Sequence, residues 1–276
     1  MSSARSRAIK FSSPAKLTPG PVHANDAFPI HPGDVACFVG GGGKTSLLYG
    51  CGEALARAGL RVLSTTTTRV ETPSPEQCTE WAWDEDEGRL LSQLGPLLAR
   101  SRHVALGRHG DYPDRFVGVS DDFVARVVDS KLVDVVLVEG DGARQRHLKA
   151  PKEGEPVAPR ATTLYVPIVG MDVLGKPLTE AFVHRTEIAA RLAEVPVGTM
   201  IDSAIIAKIL LHPQGIIREA PLGGRVIPFL SFCDAPGAME AARWVGRQAL
   251  ICGRFRIRRV VLGTAHDQEV REVIGA

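Results

Sequence analysis

One stretch of the chain decides its fold: Phe38-Val39-Gly40-Gly41-Gly42-Gly43-Lys44-Thr45-Ser46. The apolar run at residues 35–39 predicts a buried strand. Apolar residues spaced along one face predict a helix over residues 45–58. Glycines between a strand and a helix let consecutive backbone N–H groups curl around an anion, and the helix N-terminus adds partial positive charge. The stretch therefore predicts a phosphate-binding loop.

The residue types in this loop suit a nucleotide. Lys44 would reach the β- and γ-phosphates and act as a catalytic group, and the Thr45 hydroxyl would bind Mg²⁺. The strict form of this motif has glycine where Phe38 stands, which predicts a short loop that begins at Gly40. The alternative is a glycine-rich turn with an incidental lysine. The predicted nucleotide contacts in the loop are Gly40, Gly41, Gly42, Gly43, Lys44, Thr45 and Ser46.

Two acidic residues follow the most apolar predicted strand, residues 133–138. Glu139 and Asp141 are two positions apart, so an extended backbone would point both to the same side. They would lie at the sheet edge where α/β proteins bind ligands. Either could bind Mg²⁺ or orient water, and both are candidate catalytic and metal-binding residues. The alternative is a pair of solvated loop acids.

Four threonines, residues 65–68, directly follow the strand predicted over residues 60–64. Hydroxyl groups at a strand end could contact the γ-phosphate or its metal ion. Threonine is also an ordinary strand residue, so only one or two of the four are expected to function. We take Thr66 and Thr67 as the candidate nucleotide contacts.

The rest of the chain alternates strands with helices. Further strands are predicted at 103–106, 163–169, 225–230 and 258–263, the last of these being the final strand; helices are predicted at 90–100, 121–129, 186–193, 203–211 and 238–253. This alternation predicts an α/β fold, three-layered and P-loop NTPase-like, with a mostly parallel sheet. Residues 1–32 are polar and punctuated by proline, which predicts a disordered tail before one nucleotide-binding domain at 33–276.

The composition excludes several classes of protein. The 276 residues include 33 basic and 31 acidic side chains, a net charge of +2. This balance argues against a general nucleic-acid or membrane-surface binder. No apolar run approaches the ~18 residues of a membrane span. The five cysteines are scattered and odd in number, which is typical of reduced thiols in a cytoplasmic protein.

The chain resembles the YqeC family of P-loop proteins, which are described as accessory proteins of selenium-dependent molybdenum hydroxylases. The resemblance runs from about Gly33 to the C-terminus and is carried by residues 42–46, 65–68, 139–143, 148–151, 155–157, 170–178 and 183–185. It implies a nucleotide site formed by the loop, the threonines and the two acids. It also implies that Lys149, Asp172 and Lys176 contribute to the opposite wall, with Lys149 contacting the nucleotide. The implied partner is a molybdenum hydroxylase or its maturation machinery.

The chain departs from the family pattern at three places. Gly154 and Thr186 stand where a histidine and a proline are common. Family members tend to have an N-K-x-D-like segment, which recognises guanine, where this chain has Leu230-Ser231-Phe232-Cys233-Asp234. Only Asp234 matches, and it is kept as a candidate nucleotide contact. The departure puts guanine selectivity in doubt, so both ATP and GTP stay open.

The expected function is Mg²⁺-dependent binding of a purine nucleotide with slow hydrolysis, in support of molybdenum-enzyme maturation. Two alternatives stay open. One is a small-molecule kinase that uses ATP, in which the Lys149 loop and Asp172 bind an acceptor hydroxyl. The other is a nucleotide-gated chaperone that delivers a cofactor without significant catalysis.

Overall fold

The computed structural model describes residues 27–110, 114–251, 257–265 and 269–275. Most of the predicted tail, residues 1–26, lies outside these ranges. The described part of the tail is packed, since Ala27, Phe28 and Ile30 are buried. The Phe28 ring meets the Phe229 ring edge-on at 5.6 Å. Core residues therefore precede Gly33, and the domain boundary stays a prediction.

The elements alternate much as the sequence predicts. The strands are β1 (Val35–Gly40), β2 (Val62–Thr66), β3 (Val70–Glu71), β4 (Glu80–Asp84), β5 (His103–His109), β6 (Arg115–Val117), β7 (Val135–Glu139), β8 (Leu148–Lys149), β9 (Leu164–Gly170), β10 (Val183–His184), β11 (Arg225–Val226), β12 (Phe229–Ser231), β13 (Arg259–Thr264) and β14 (Glu269–Gly275). The helices are α1 (Lys44–Arg57), α2 (Glu87–Leu98), α3 (Asp121–Ser130), α4 (Thr186–Ala193), α5 (Ser203–Leu211) and α6 (Ala238–Ile251), with a 3₁₀ turn at Met171–Val173.

Within the described ranges, twelve strands form one sheet in the order β14-β13-β12-β9-β1-β7-β2-β5-β6-β3, with β11 beside β9 and β4 beside β5. β1 is parallel to both of its neighbours, β7 and β9. The antiparallel pairs lie towards the margins, at β13–β14, β5–β6 and β3–β6. The prediction of an α/β fold with a mostly parallel sheet is confirmed. β8 and β10 form a separate parallel pair.

Helices cover both faces of the sheet, as the alternation of side chains along β1 shows. Cys37 and Val39 join one buried cluster with residues of α4, α5 and α6, whereas Ala36 and Phe38 join another with residues of α1. Successive side chains of a strand point to opposite faces, so the two clusters are the two faces of one sheet. The layers are helix, sheet and helix. Among the described residues, no helix is long and apolar enough to span a bilayer.

The structure corrects three details of the strand assignment. The strand predicted over 225–230 is two short strands, β11 and β12, separated by Ile227 and by Pro228, which has no N–H for the ladder. The strand at 258–263 is not the last, because β14 follows it in an antiparallel hairpin. The acidic stretch with Trp81 and Trp83, for which no element was predicted, forms β4.

Candidate functional site

The loop between β1 and α1 is pressed against neighbouring backbone. Gly40, Gly42 and Gly43 have φ angles of +96°, +97° and +103°. A Cβ atom on Gly40 would collide with the Ile168 carbonyl oxygen, and one on Gly42 would lie 2.5 Å from the Gly170 amide nitrogen. Both the backbone conformation and the space therefore require glycine. Phe38 is buried within β1, and Gly40, the last residue of that strand, is the first residue of the stretch with a left-handed φ.

Lys44 is the first residue of α1, and its side chain folds back over the loop. The Lys44 Nζ donates a hydrogen bond to the Gly40 carbonyl oxygen at 2.8 Å. It also lies 3.6 Å from Asp141 Oδ1 and 3.8 Å from Glu139 Oε1. All three charged groups are buried. Lys44 is therefore the cation shared by both acids at the end of β7.

Thr45 and Glu139 form an oxygen pair at the start of α1. The Thr45 hydroxyl donates to Glu139 Oε2 at 2.9 Å. Burial raises the pKa of Glu139, and the Asp141 charge adds to this, although Lys44 and the Thr45 hydroxyl partly oppose the rise. A hydroxyl and a carboxylate beside an anion-binding loop are hard oxygen ligands of the kind Mg²⁺ prefers. The donor set fits this ion.

Asp141 has a different environment from Glu139. Its two carboxylate oxygens accept from the Gly40 N–H at 3.0 and 3.1 Å, and Oδ2 also lies 2.9 Å from Lys149 Nζ. The carboxylate is 1% exposed. Asp141 therefore holds the first residue of the loop in place, and the structure brings Glu139 rather than Asp141 to Thr45.

Lys149 is buried beneath the site. Its Nζ donates to the Gly142 carbonyl oxygen at 2.6 Å and to Glu155 Oε2 at 2.9 Å. Arg185 donates two hydrogen bonds of 2.7 Å to the Glu155 carboxylate. Burial opposes ionisation of Glu155, but the hydrogen bonds from Arg185 and Lys149 outweigh it and lower the pKa of Glu155 to about 2. An ion-pair chain thus joins Asp141 to the β8–β10 pair.

A cleft of about 1260 Å³ opens above the loop at the carboxyl ends of the parallel strands. Six of the predicted site residues line it: Gly42, Gly43, Lys44, Thr45, Ser46 and Glu139. The other seven predicted residues do not line the cleft: Gly40, Gly41, Thr66, Thr67, Asp141, Lys149 and Asp234. The loop and Glu139, predicted from separate parts of the sequence, therefore meet at one surface.

The threonines at positions 66–68 have different positions: two of them bind backbone carbonyl oxygens, and the third lines the cleft. Thr66 donates to the Glu139 carbonyl oxygen at 2.9 Å, and Thr67 donates to the Val157 carbonyl oxygen at 2.6 Å. Neither lines the cleft, but Thr68 does. The Thr68 hydroxyl is buried and has no hydrogen-bond partner within the part of the chain that is described. Thr68 is therefore the threonine of this run that lies at the cleft, although nothing in the sequence separates it from its neighbours.

The segment after β12, which contains Asp234, contributes a different residue to the cleft. Asp234 is exposed and does not line the cleft, whereas Phe232 does. The Phe232 ring stacks on His147 with centroids 4.4 Å apart, and His147 Nδ1 lies 2.8 Å from Asp172 Oδ2. Lys176 is exposed beside Phe182 and is not part of the lining. No pattern in the sequence indicates His147, which lies in a loop rich in charged residues.

A glycine loop of this geometry at the carboxyl edge of a parallel sheet is the hallmark of one class, the P-loop nucleotide-binding proteins of NTPase type. The model of one family in this class, described as YqeC protein, matches residues 36–187. The chain belongs to the YqeC family. "Uncharacterized protein YqeC" of Escherichia coli (strain K12) is 29% identical over 197 residues, which cover 71% of this chain and 75% of that protein.

Two solved structures of FtsY also resemble the chain. The signal recognition particle receptor FtsY from Elizabethkingia anophelis has 15% identity and a TM-score of 0.29, over 85% of this chain and 51% of that one. FtsY from Mycoplasma mycoides has 11% identity and a TM-score of 0.30, over 88% and 64%. The chain thus spans between about half and two thirds of these structures. The fold assignment rests on the sheet topology and the loop.

Proposed function

We propose that the chain binds a purine nucleoside triphosphate with Mg²⁺ at the glycine loop and hydrolyses it slowly. The observation that carries this proposal is the hydrogen bond between Thr45 and Glu139 beside Lys44, because it sets a hydroxyl, a carboxylate and a cation around one loop of backbone N–H groups. The family membership supports the same proposal.

Each residue has a distinct role in this proposal. The loop N–H groups would bind the phosphate oxygens, and Lys44 would leave the Gly40 carbonyl to stabilise charge on the γ-phosphoryl group. Thr45 and Glu139 would hold Mg²⁺, whose charge would offset the negative charge of the phosphates. Glu139, which lines the cleft, would also orient the attacking water. Asp141 would act through the loop, as a positioning residue.

Thermal unfolding with ATP or GTP, with and without Mg²⁺, tests the proposal. We expect either nucleotide with Mg²⁺ to raise the Tm of the wild type, and Lys44→Ala to abolish the rise. Thr45→Val should weaken the apparent affinity for Mg²⁺ at least tenfold, whereas Thr45→Ser, the matched control that keeps the hydroxyl, should retain it. A wild type that no nucleotide stabilises would refute the proposal.

The preference between ATP and GTP depends on residues 230–234, which stand where family members tend to have the guanine-recognition segment. Ser231 is buried and accepts the Ala265 N–H at 3.1 Å, and Asp234 is exposed outside the cleft. We propose that the chain does not select guanine, so that ATP binds at least as well as GTP. The same unfolding series checks this, and a tenfold preference for GTP would contradict it.

The biological role that we propose is that of a cytoplasmic accessory factor in the maturation of a selenium-dependent molybdenum hydroxylase. It is supported by the family resemblance alone. The role predicts that such a hydroxylase co-purifies with this chain in a nucleotide-dependent way. An association that is unchanged in Lys44→Ala would contradict the nucleotide-gated form of this role.

Transfer of a phosphoryl group to a small molecule is a second candidate function. One observation favours it: the cleft of about 1260 Å³ exceeds the roughly 300–1,000 Å³ of ordinary ligand pockets, so it has room beside a nucleotide. Phosphorus NMR of the reaction distinguishes the two candidates, because free phosphate indicates hydrolysis and a new phosphate ester indicates transfer.

A further inference from the structure

The cleft carries more positive charge than a nucleotide at the loop requires. Among the described residues that line it, seven cations face four acids; the cations are Lys44, Arg69, Arg115, Arg144, Arg146, Lys152 and Arg185, and the acids are Glu71, Glu139, Glu155 and Glu180. Lys44 lies beside Glu139, and both Arg185 and Lys152 pair with Glu155. A triphosphate at the loop already has the loop amides, Lys44 and Mg²⁺ to match its charge. The arginines at positions 69, 115, 144 and 146 are not among the groups that a triphosphate at the loop needs.

A strained turn brings Arg144 to this surface. The Arg146 N–H donates to the Ala143 carbonyl oxygen at 2.9 Å, and the two central residues, Arg144 and Gln145, have φ angles of +49° and +59°. Turns with positive φ at both central positions usually carry glycine, asparagine or aspartate. A left-handed conformation costs other residues about 1 kcal/mol or more, and such strain clusters at functional sites. Here an arginine occupies the position.

The turn is fixed against the glycine loop. A Cβ atom on Gly41 would collide with the Arg146 carbonyl oxygen, so the two backbones touch. On its other side, Arg144 lies near His184, whose pKa is lowered to about 4 by burial first and then by the charges of Arg185, Lys149 and Arg144. His184 is therefore neutral at pH 7. The turn, His184 and Arg185 form one wall of the cleft, which we call the arginine wall (residues 143–146, 184 and 185).

We propose that the arginine wall binds the phosphate group of a second molecule, a phosphate monoester, while a nucleotide occupies the glycine loop. This inference rests on the proposed function, since it places the second ligand beside the nucleotide. The planar guanidinium group of Arg144 offers paired N–H donors that match phosphate oxygens. Arg146, whose Nε donates to the Glu180 carbonyl oxygen at 2.8 Å, adds positive charge next to it. Neutral His184 can add one hydrogen bond without a charge of its own.

Inorganic phosphate is the probe, titrated by calorimetry into protein that is saturated with Mg²⁺ and a non-hydrolysable ATP analogue. Because the analogue fills the glycine loop, phosphate that still binds must bind elsewhere. We expect Arg144→Gln to weaken phosphate binding about tenfold, the loss of a charge-assisted hydrogen bond. The control is Arg247→Gln, an exposed arginine of α6 outside the cleft, and it should bind phosphate as the wild type does.

Two outcomes overturn the proposal: phosphate binding that the analogue abolishes, or equal binding by Arg144→Gln and Arg247→Gln. Should the analogue itself fail to bind, the proposed function fails first. The arginine wall is then tested with Lys44→Ala, in which the loop is disabled. Phosphate binding that persists in Lys44→Ala and is lost in the Lys44→Ala/Arg144→Gln double variant supports the wall independently, and binding that is lost in Lys44→Ala refutes it.

Discussion

Gly40 meets two independent constraints, a left-handed φ and the Ile168 carbonyl oxygen of the neighbouring strand. Gly59, at the far end of α1, shares only the first, since its φ is +94° and no atom lies within 4 Å of the point where a Cβ would stand. Comparing the two positions therefore separates the cost of backbone conformation from the cost of collision.

We expect Gly59→Ala to lower the free energy of unfolding by about 1 kcal/mol, the cost of a left-handed alanine. Gly40→Ala should cost about 1–3 kcal/mol more, because the neighbouring strand must also shift. Urea unfolding of both variants measures the difference. Equal losses would show that the loop yields freely to a side chain, which would contradict a rigid phosphate cradle.

The sequence predicted which residues belong to the site better than it predicted which contacts each of them makes. Lys44 and Thr45 follow from one motif, because a glycine loop before a helix leaves them few other positions. Glu139 and Asp141 were expected on one side of an extended strand, and Lys44 Nζ lies within 4 Å of both carboxylates although β7 ends at Glu139. Which of the two carboxylates contacts Thr45 depends on where α1 packs relative to β7, and no local pattern encodes that position.

The β8–β10 pair is joined to the sheet by charge more than by strand pairing. Each of these strands has two residues. The pair is held by ion pairs, in which Lys149 and Arg185 both bind Glu155 and Asp141 binds Lys149. Leu148 and Val183 also pack into the buried cluster on that face of the sheet. Because this chain of ions also supports the first residue of the glycine loop, its protonation state matters to the site.

Glu155 should make the stability of the folded protein depend on pH in the acidic range. Its pKa is about 2 in the folded protein against an ordinary 4.5, so its contribution to stability is full above pH 4.5 and is lost as pH falls towards 2. After allowance for solvent screening, the contribution is about 2 kcal/mol. Glu155→Gln should therefore be less stable than the wild type at pH 6, and the difference should shrink below pH 4.5.

Urea unfolding across this pH range provides the measurement, and Glu153→Gln provides the control. Glu153 is an exposed neighbour two positions away, and its removal should change stability little at any pH. A difference between Glu155→Gln and wild type that stays constant from pH 6 to pH 3 would argue against the ion-pair chain.

Elements with one strong pattern were predictable, and those at the margins were not. The central strands read as apolar runs because both of their faces are buried. β4 and β14 are mostly half-exposed or exposed, so their mixed composition carries no such signal. Local sequence patterns do not indicate the arginine wall either, since its residues come from two distant segments that the β8–β10 pair brings together.

At the scale of the whole molecule, the order of the strands is the feature that creates the site. β1 lies between β7 and β9, so the glycine loop receives Glu139 from one neighbour and packs against Gly170 from the other. The alternation of strands and helices predicts the class of fold, but many strand orders satisfy it. The order depends on contacts between distant residues, which the sequence pattern does not report.

The continuous sheet predicts that residues 33–276 unfold as one cooperative unit, which a bound nucleotide stabilises throughout. The chain has three tryptophans, and they report on opposite ends of the sheet. Trp81 and Trp83 lie on β4 beside β5, and Trp244 lies on α6, which packs on β13 and β14. In Trp244→Phe the remaining tryptophan fluorescence reports on the end of the sheet at β4. In the Trp81→Phe/Trp83→Phe double variant it reports on the end at β13 and β14.

Both ends should melt at one Tm in each variant, and Mg²⁺ with ATP should raise the two Tm values equally. At a hundred times Kd the nucleotide adds about 2.7 kcal/mol, a shift of roughly 5–10 °C for a chain of this size. Fluorescence-detected melting compares the ends, and calorimetry checks that a single transition accounts for the heat. A β4 signal that melts separately and does not respond to nucleotide would divide the chain into two domains, because a ligand stabilises only the unit whose unfolding destroys its site.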